Sequence, residues 1–449
     1  MIITTLLSII LLIMGWYFLR SFREPGLCLS VVWSSYAIEQ LLQAKFPIFL
    51  NNGAAFNFGI GGFVSLTVVY LLLSGKVRWA NLTQSAAIYY MLLGWACMTY
   101  LWSIDQGITF QNLRSSFPYI VIFAILAPFL IRTPKDLIKC CNGTVILGVF
   151  VMLGHAAFEL TGFRGRSIEI HISSSEQLHL NPLAVASFGG FVSICTSFWI
   201  YQNRKANLIR LLIAGAIITL GLYTIVRSGS RGQMIALVCS LIIWIPITAQ
   251  MALKKQAIVA LLMAVGVAFG AIYMIDVVGW SGNWEVDSFL SSFSGRLATS
   301  QGALSEYASG TGMQWIIGQG SSSSWRSLGG YPHNVPVEIL LEQGVVGLLF
   351  FCGFVFSITF EGFRILLDKR VDDSSRLVLG LILCLFTFNG ILLLKQGAFL
   401  GATSFFGIGV SAAIIFKQIR YSQRLSEAKM RYLERASFGS FAHQPNQLR

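Results

Sequence analysis

The chain has 449 residues, 55% hydrophobic and only 11% charged, with a net charge of +13 and a mean hydropathy of +0.69. Soluble domains carry about 25% charged residues, so this composition cannot furnish a water-facing surface and excludes an ordinary soluble fold. The positive balance does not point to nucleic acid either. Most Lys and Arg sit in short segments between apolar runs, the positive-inside pattern of a membrane protein.

In chain order, apolar runs fall at about 1–19, 27–43, 55–74, 85–103, 116–131, 142–160, 181–201, 211–226, 234–250, 257–276, 336–357, 377–394 and 399–416. At 1.5 Å per residue these are of the length that crosses about 30 Å of hydrocarbon. They predict an all-α fold, a polytopic membrane helix bundle of 12 or 13 transmembrane helices forming one membrane domain over 1–449. The first run lacks a basic leader and a small-residue cleavage site, so it reads as a span. Twelve spans follow if one run, 116–131 or 399–416 being the short ones, is re-entrant or merged. The eight cysteines lie mainly in apolar runs without C-x-x-C spacing and read as packing residues.

Alternate loops divide the basic residues unevenly. Only Lys45, Arg114, Arg164, Arg166, Arg227, Arg231, Arg296, Arg326 and Lys395 fall in one set, and the rest of the 32 fall in the other, which is therefore cytoplasmic. Two long loops lie on the outer face, at about 161–180 and 277–335. The second, a large and partly helical periplasmic loop, carries Trp280, Trp284, Trp315 and Trp325. Long loops of this kind are functional or disordered. The tail 417–449 is basic and cytoplasmic, and reads as a disordered or anionic-lipid-contacting segment.

No H-E-x-x-H, Walker loop or acidic cluster of metal-ligand spacing is present, so neither a cofactor nor a metal is expected. Arginines on the outer face stand out instead. Arg227 and Arg231 occupy V-R-S-G-S-R-G-Q, a short connection between two spans. An arginine in mid-bilayer costs about 2.5–3.5 kcal/mol on insertion scales. Either these residues snorkel to lipid phosphate, or they form an anion site in which Gly229 and Gly232 let backbone approach closely. Arg296, in F-S-G-R-L, fits a helix start capped by Ser294 or Gly295; Arg164 and Arg166, in G-F-R-G-R-S, give a weaker version of the same signal. Each could equally be a solvated surface arginine.

The large loop ends in Y-P-H-N-V-P-V-E-I-L-L-E-Q-G-V-V-G-L. Asn334 can cap the helix that follows, with Pro336 in its first turn. His333 then lies at the positive end of the helix dipole, which favours the neutral imidazole a general base needs. A structural loop histidine is the plainer alternative. Glu338 and Glu342 share one helix face and are expected to meet a partner inside the bundle, an arginine ion pair being the expected form.

The ordered set S-R-G, S-G-R-L, G-Q-G before a serine run, and P-H-N followed by L-x-E-x-G-x-x-G-L resembles the O-antigen ligase and O-antigen polymerase superfamily of bacterial surface-polysaccharide and lipopolysaccharide biosynthesis. The likeness runs from about Ser228 to Phe351. It implies a multi-span (GT-C-like), metal-independent, inverting glycosyltransferase of the bacterial inner membrane, with its site facing the periplasm. The implied partners are an undecaprenyl diphosphate-linked glycan donor, a glycan or lipid A–core acceptor, and membrane lipid. By the same likeness Arg231 and Arg296 would hold the diphosphate and His333 would act at the acceptor hydroxyl. Arg227, Arg164, Arg166, Asn334, Glu338 and Glu342 are further candidate substrate contacts. A ligase and a polymerase of lipid-linked repeat units remain alternatives. So does a transporter or flippase of an anionic lipid-linked substrate, although no paired repeat with broken midplane helices is evident. A structural scaffold is the blandest reading.

Overall fold

The computed structural model describes residues 2–441 except 47, 50–51, 78–82, 159–162, 165–166, 172–176, 181, 204–206, 253, 257, 259–260, 262–264 and 267–285. The expected all-α polytopic bundle forms. Its N-terminal half contains α1 (Ile2–Ser21), α2 (Gly26–Lys45), α3 (Gly53–Leu73), α4 (Gln84–Met98), α5 (Gln106–Tyr119), α6 (Pro134–Phe158), α7 (Pro182–Gln202), α8 (Leu208–Arg227) and α9 (Arg231–Thr248). The large loop folds into α10 (Val286–Ala308), α11 (Gly312–Ile317) and α12 (Ser323–Leu328). The chain closes with α13 (Val335–Leu366), α14 (Asp373–Leu393) and α15 (Thr403–Phe441). The basic tail continues as part of the long helix α15 over 417–441.

The loop between α6 and α7 holds a small antiparallel sheet, β1 (Phe163–Arg164), β2 (Ser167–His171) and β3 (Gln177–Leu180), in the order β1-β2-β3. S-I-E-I-H and Q-L-H-L alternate with the period of two that suits a half-covered strand. The register sets Ile168 against Leu180 and Glu169 against His179.

Nine helices among the described residues are long and apolar enough to cross a membrane. They account for nine of the predicted spans. Three more, 27–43, 85–103 and 399–416, are helical but more polar or shorter in regular helix. α2 buries Ser30, Ser34, Ser35, Glu39 and Gln40, and α4 tightens into a 3-10 turn at Thr99–Trp102. The run 257–276 lies largely outside the described residues. The predicted span at 116–131 begins earlier, because α5 runs on through a π-helical stretch, Ile120–Leu126, and a 3-10 turn, Ala127–Leu130. Pro118 inside α5 and Pro128 in the turn remove backbone donors there and explain the irregular winding.

α14 is the central helix, packed along α9 and touching α7, α13 and α15. Trp244 Nε1 of α9 donates to Thr387 Oγ1 of α14 at 2.8 Å. Aromatic rings from four helices meet beside it. Phe386 stacks on Phe405 at 4.6 Å and Tyr89 on Phe406 at 4.5 Å, with Phe354 against both phenylalanines. Ring pairs of this kind add about 0.5–1.5 kcal/mol each beyond the area they bury.

Candidate functional site

A cavity of about 650 Å³ opens between α2, α5, α7, α14 and the segment 396–411. Val32, Trp33, Phe123, Phe188 and Phe191 supply apolar wall, while Arg296, Tyr331 and His333 from the large loop close over it. Residues far apart in sequence thus meet on one volume. The size and mixed lining suit a ligand with an apolar part and a few polar anchoring points.

The turn carrying Arg227 and Arg231 is a Schellman cap. Gly229 N donates to Val226 O at 2.9 Å, Ser230 N donates to Ile225 O at 3.4 Å, and Gly229 has φ 65°. This corrects the expectation for Gly229, whose freedom is used to end α8 rather than to admit a phosphate. Gly232 also serves packing, because a Cβ there would collide with the Lys395 amine and its neighbouring methylenes. Arg227 closes the last turn of α8, and Arg231 is the first residue of α9. A cation at a helix N-terminus works against the macrodipole, so this position is electrostatically suited to an anion beside it.

Arg296 lies mid-helix in α10, not at a helix start. Val286, Phe289, Leu290, Phe293 and Leu297 repeat at helical spacing and carry the helix back past Ser294 and Gly295. One turn on, Ser300 Oγ donates to Pro332 O at 3.4 Å and ties α10 to the histidine segment. His333 has φ 58°, a left-handed conformation rare for a side-chain-bearing residue. Its ring meets that of Tyr331 edge-on at 4.5 Å. Partial burial and the Arg296 charge hold the imidazole below its ordinary value. Both causes favour the neutral imidazole, and they differ from the helix dipole expected from sequence. Asn334 caps α13, its side-chain oxygen accepting from Val337 N at 3.3 Å. That oxygen is committed to the helix.

Lys395, which the sequence marks only as one outer cation among nine, joins this group. Its Nζ donates to Gln233 Oε1 at 2.9 Å. The buried Gln233 in turn donates from Nε2 to Gln396 Oε1 at 2.9 Å and to Leu183 O at 3.2 Å. Burial and the charges of Arg296 and Arg231 push Lys395 down to about 7. Lys395, in the turn after α14, thus feels the charges of Arg231 on α9 and Arg296 on α10, and Arg296 also acts on His333.

This predicts a pH dependence. Lys395 loses its charge as pH rises through about 7, whereas a diphosphate diester keeps its charge. Affinity for a lipid diphosphate glycan should fall as pH rises from about 6.5 to 8.5, approaching tenfold per unit as a limit. Lys395→Arg should flatten that slope, because a guanidinium stays charged. Titrated binding to the purified protein checks both, and a wild-type affinity level across this range would show that Lys395 does not contact the anion.

The two glutamates depart from expectation. Both are buried in α13, but Glu342 Oε1 accepts from Ser324 Oγ at 2.6 Å and Glu338 Oε2 from Phe399 N at 3.0 Å. Hydroxyl and N–H donors take the place of the expected arginines. Glu338 thereby anchors the turn that follows Lys395 and Gln396. α13 is also broken at Gly344, with φ 67° and ψ −166°, although no broken helix was evident from sequence. The carbonyls released by the break are taken up. Leu341 O accepts from Gln319 N at 3.0 Å, Glu342 O from Gly320 N at 2.9 Å and Gln343 O from Trp95 Nε1 at 3.0 Å.

The serine run that follows Gly320 is a buried strap rather than a low-complexity tract. Ser321 Oγ donates to Ala96 O at 2.7 Å, its carbonyl accepts from Ser103 Oγ at 2.9 Å, and Asn112 Nδ2 donates to Ser322 Oγ at 3.1 Å. Sequence reasoning passed over this strap, which locks the end of the large loop between α4, α5 and α13. Its one signal was four serines directly after G-Q-G. Arg164 lies in β1, but its side chain, like the whole of Arg166, lies outside the described residues.

The residues brought together are of two kinds: cations, a residue type that can neutralise an anionic group, and an imidazole, a residue type that can receive a proton. Residues 216–352, which include Arg227, Arg231, Arg296, His333 and both glutamates, match the family described as O-antigen ligase. No curated protein matches the chain.

Proposed function

We propose that this chain, whose segment 216–352 matches the family described as O-antigen ligase, transfers a glycan from undecaprenyl diphosphate to an acceptor hydroxyl at the periplasmic face of a bacterial inner membrane. Members of this family are glycosyltransferase-like enzymes, and the protein is a multi-pass membrane protein. The observation that supports the reading is that Arg296 and His333 line one cavity, with Lys395, on which both Arg296 and Arg231 act, in the turn next to the lining residue Gln396.

In this mechanism His333 accepts the proton of the acceptor hydroxyl as its oxygen attacks the anomeric carbon. The bond from that carbon to the donor's phosphate oxygen breaks, and undecaprenyl diphosphate leaves with the electron pair. Attack opposite the leaving group inverts the anomeric centre. Arg231, Arg296 and Lys395 stabilise the charge that grows on the leaving oxygen, a role in which one fixed donor is worth about 10²–10³ in rate. Glu338 acts at a distance by holding the Lys395 turn in place.

Lipid A–core is the proposed acceptor, making the protein a ligase; the same chemistry with a second lipid-linked chain would make it a polymerase. Deletion separates the two. A lost ligase leaves long chains on undecaprenyl diphosphate, whereas a lost polymerase leaves single repeat units on the acceptor. The ligase assignment predicts the first pattern, and the second pattern would replace it with polymerase. The break in α13 gives little support to a transporter, because protein donors already occupy the carbonyls it releases, the groups a transporter leaves for its ion.

A further inference from the structure

The cavity has a second pole, built by the N-terminal half of the chain outside the matched segment. Tyr36 of α2, Asn57 of α3 and Ser115, Ser116 and Tyr119 of α5 line it. Asn57 Nδ2 donates to Tyr119 Oη at 3.1 Å and to Glu39 Oε1 at 2.9 Å, and Gln43 Nε2 also donates to Glu39 Oε1, at 3.2 Å. Glu39 is 7% exposed and stands behind Asn57, outside the lining. Tyr119 stacks on Phe123 at 6.2 Å and 15°, giving a flat aromatic step along the wall.

The chemistry here is opposite to that of the cationic pole. Arg296 is the one basic residue lining the cavity among the described residues, and the buried group behind this wall is a carboxylate. A buried carboxylate disfavours an anion beside it. Hydroxyls, amide and aromatic faces instead match a ligand that is neutral, rich in hydroxyls and apolar on its ring faces. A single volume lined by the Arg296 cation in one part and by an amide–hydroxyl–aromatic wall in another suits an amphiphile with an anionic group joined to sugar.

We propose that Tyr36, Asn57, Tyr119, Ser115 and Ser116 form a sugar-binding subsite that holds a neutral pyranose unit of the glycan while its diphosphate occupies the cationic pole, with Glu39 as the positioning residue for Asn57. This rests on the lipid diphosphate donor proposed above. It assigns selection of the glycan to the N-terminal half and the anion and proton chemistry to the C-terminal half.

The test compares binding of bare undecaprenyl diphosphate and undecaprenyl diphosphate bearing one repeat unit to the purified full-length protein in lipid nanodiscs. Wild type should bind the glycan-bearing lipid more tightly. Tyr119→Phe keeps the ring on Phe123 and removes only the hydroxyl, so loss of fold does not enter. Tyr119→Phe and Asn57→Ala should bind the bare lipid as wild type does but lose about tenfold of the advantage conferred by the glycan. Arg296→Ala should weaken both lipids alike. If Tyr119→Phe and Asn57→Ala keep the full glycan advantage, the cluster is a clamp between helices and the subsite is wrong. A wild type that binds both lipids equally also overturns the subsite but leaves the diphosphate site standing. A wild type that binds neither overturns the underlying function and the subsite with it.

Discussion

Arg296→Ala is expected to lower glycan transfer by about 100-fold or more, with Arg231→Ala close behind and protein abundance unchanged. Both charges act on Lys395, and Arg296 also acts on His333, so removing Arg296 alters both of these groups. The magnitude follows from the loss of one fixed group that stabilises charge growing in the transition state. Lysine at either position should restore part of the rate, because it returns a charge without the planar fork that grips two phosphate oxygens. The fall should lie mainly in kcat if the contact strengthens as the leaving group departs, and mainly in KM if it only anchors the donor. Steady-state transfer with purified variants separates the two, and wild-type rates from both alanine variants would remove the arginines from the chemistry.

Gly344→Val is expected to prevent accumulation of folded protein altogether. The residue has φ 67° inside α13, a region that costs a β-branched residue about 1–3 kcal/mol. The added side chain would also strike the backbone of Ile316 and Gly318, an overpacking worth about 1–3 kcal/mol more. Those terms fall on a total stability of about 5–15 kcal/mol. The strap at Gly318–Ser324 docks against this break, so the large loop and Arg296 with it would lose their seat. Size-exclusion profiles and abundance in membranes read the outcome. A Gly344→Val protein that purifies in normal yield would show that the break is incidental. Ser324→Ala, which removes one hydrogen bond to Glu342, should be far milder, at about 1–3 kcal/mol.

Much of this arrangement was legible in the sequence because membrane physics writes strong signals. Spans show as long apolar runs, and loop charge sorting exposes cations on the wrong face. Arg231, Arg296 and His333 were found that way, and the resemblance read over 228–351 agrees with the matched segment 216–352. Lys395 carried the same signal but was passed over because it stands alone after a span, with no motif around it. Its importance comes from α14 and α9 lying side by side, a tertiary fact without local trace. The glutamate partners failed for a related reason. Helical spacing put Glu338 and Glu342 on one face, but only the fold could bring Ser324 and Phe399 to them. The break at Gly344 was hidden because a glycine in an apolar helix reads as a packing residue until the opposing Gly318 is seen. Nor could the contribution of α2, α3 and α5 to the cavity be read from sequence, since their polar residues lie singly in apolar runs.

The most direct test of the account is complementation of a host that lacks its own enzyme by His333→Ala, scored by full-length surface polysaccharide at matched protein abundance. In the proposed mechanism His333 receives the acceptor's proton, and general-base assistance is worth about 10²–10⁴ in rate. His333→Ala membranes should still bind the lipid diphosphate glycan but transfer almost none of it. Polysaccharide at the wild-type level from His333→Ala would contradict it.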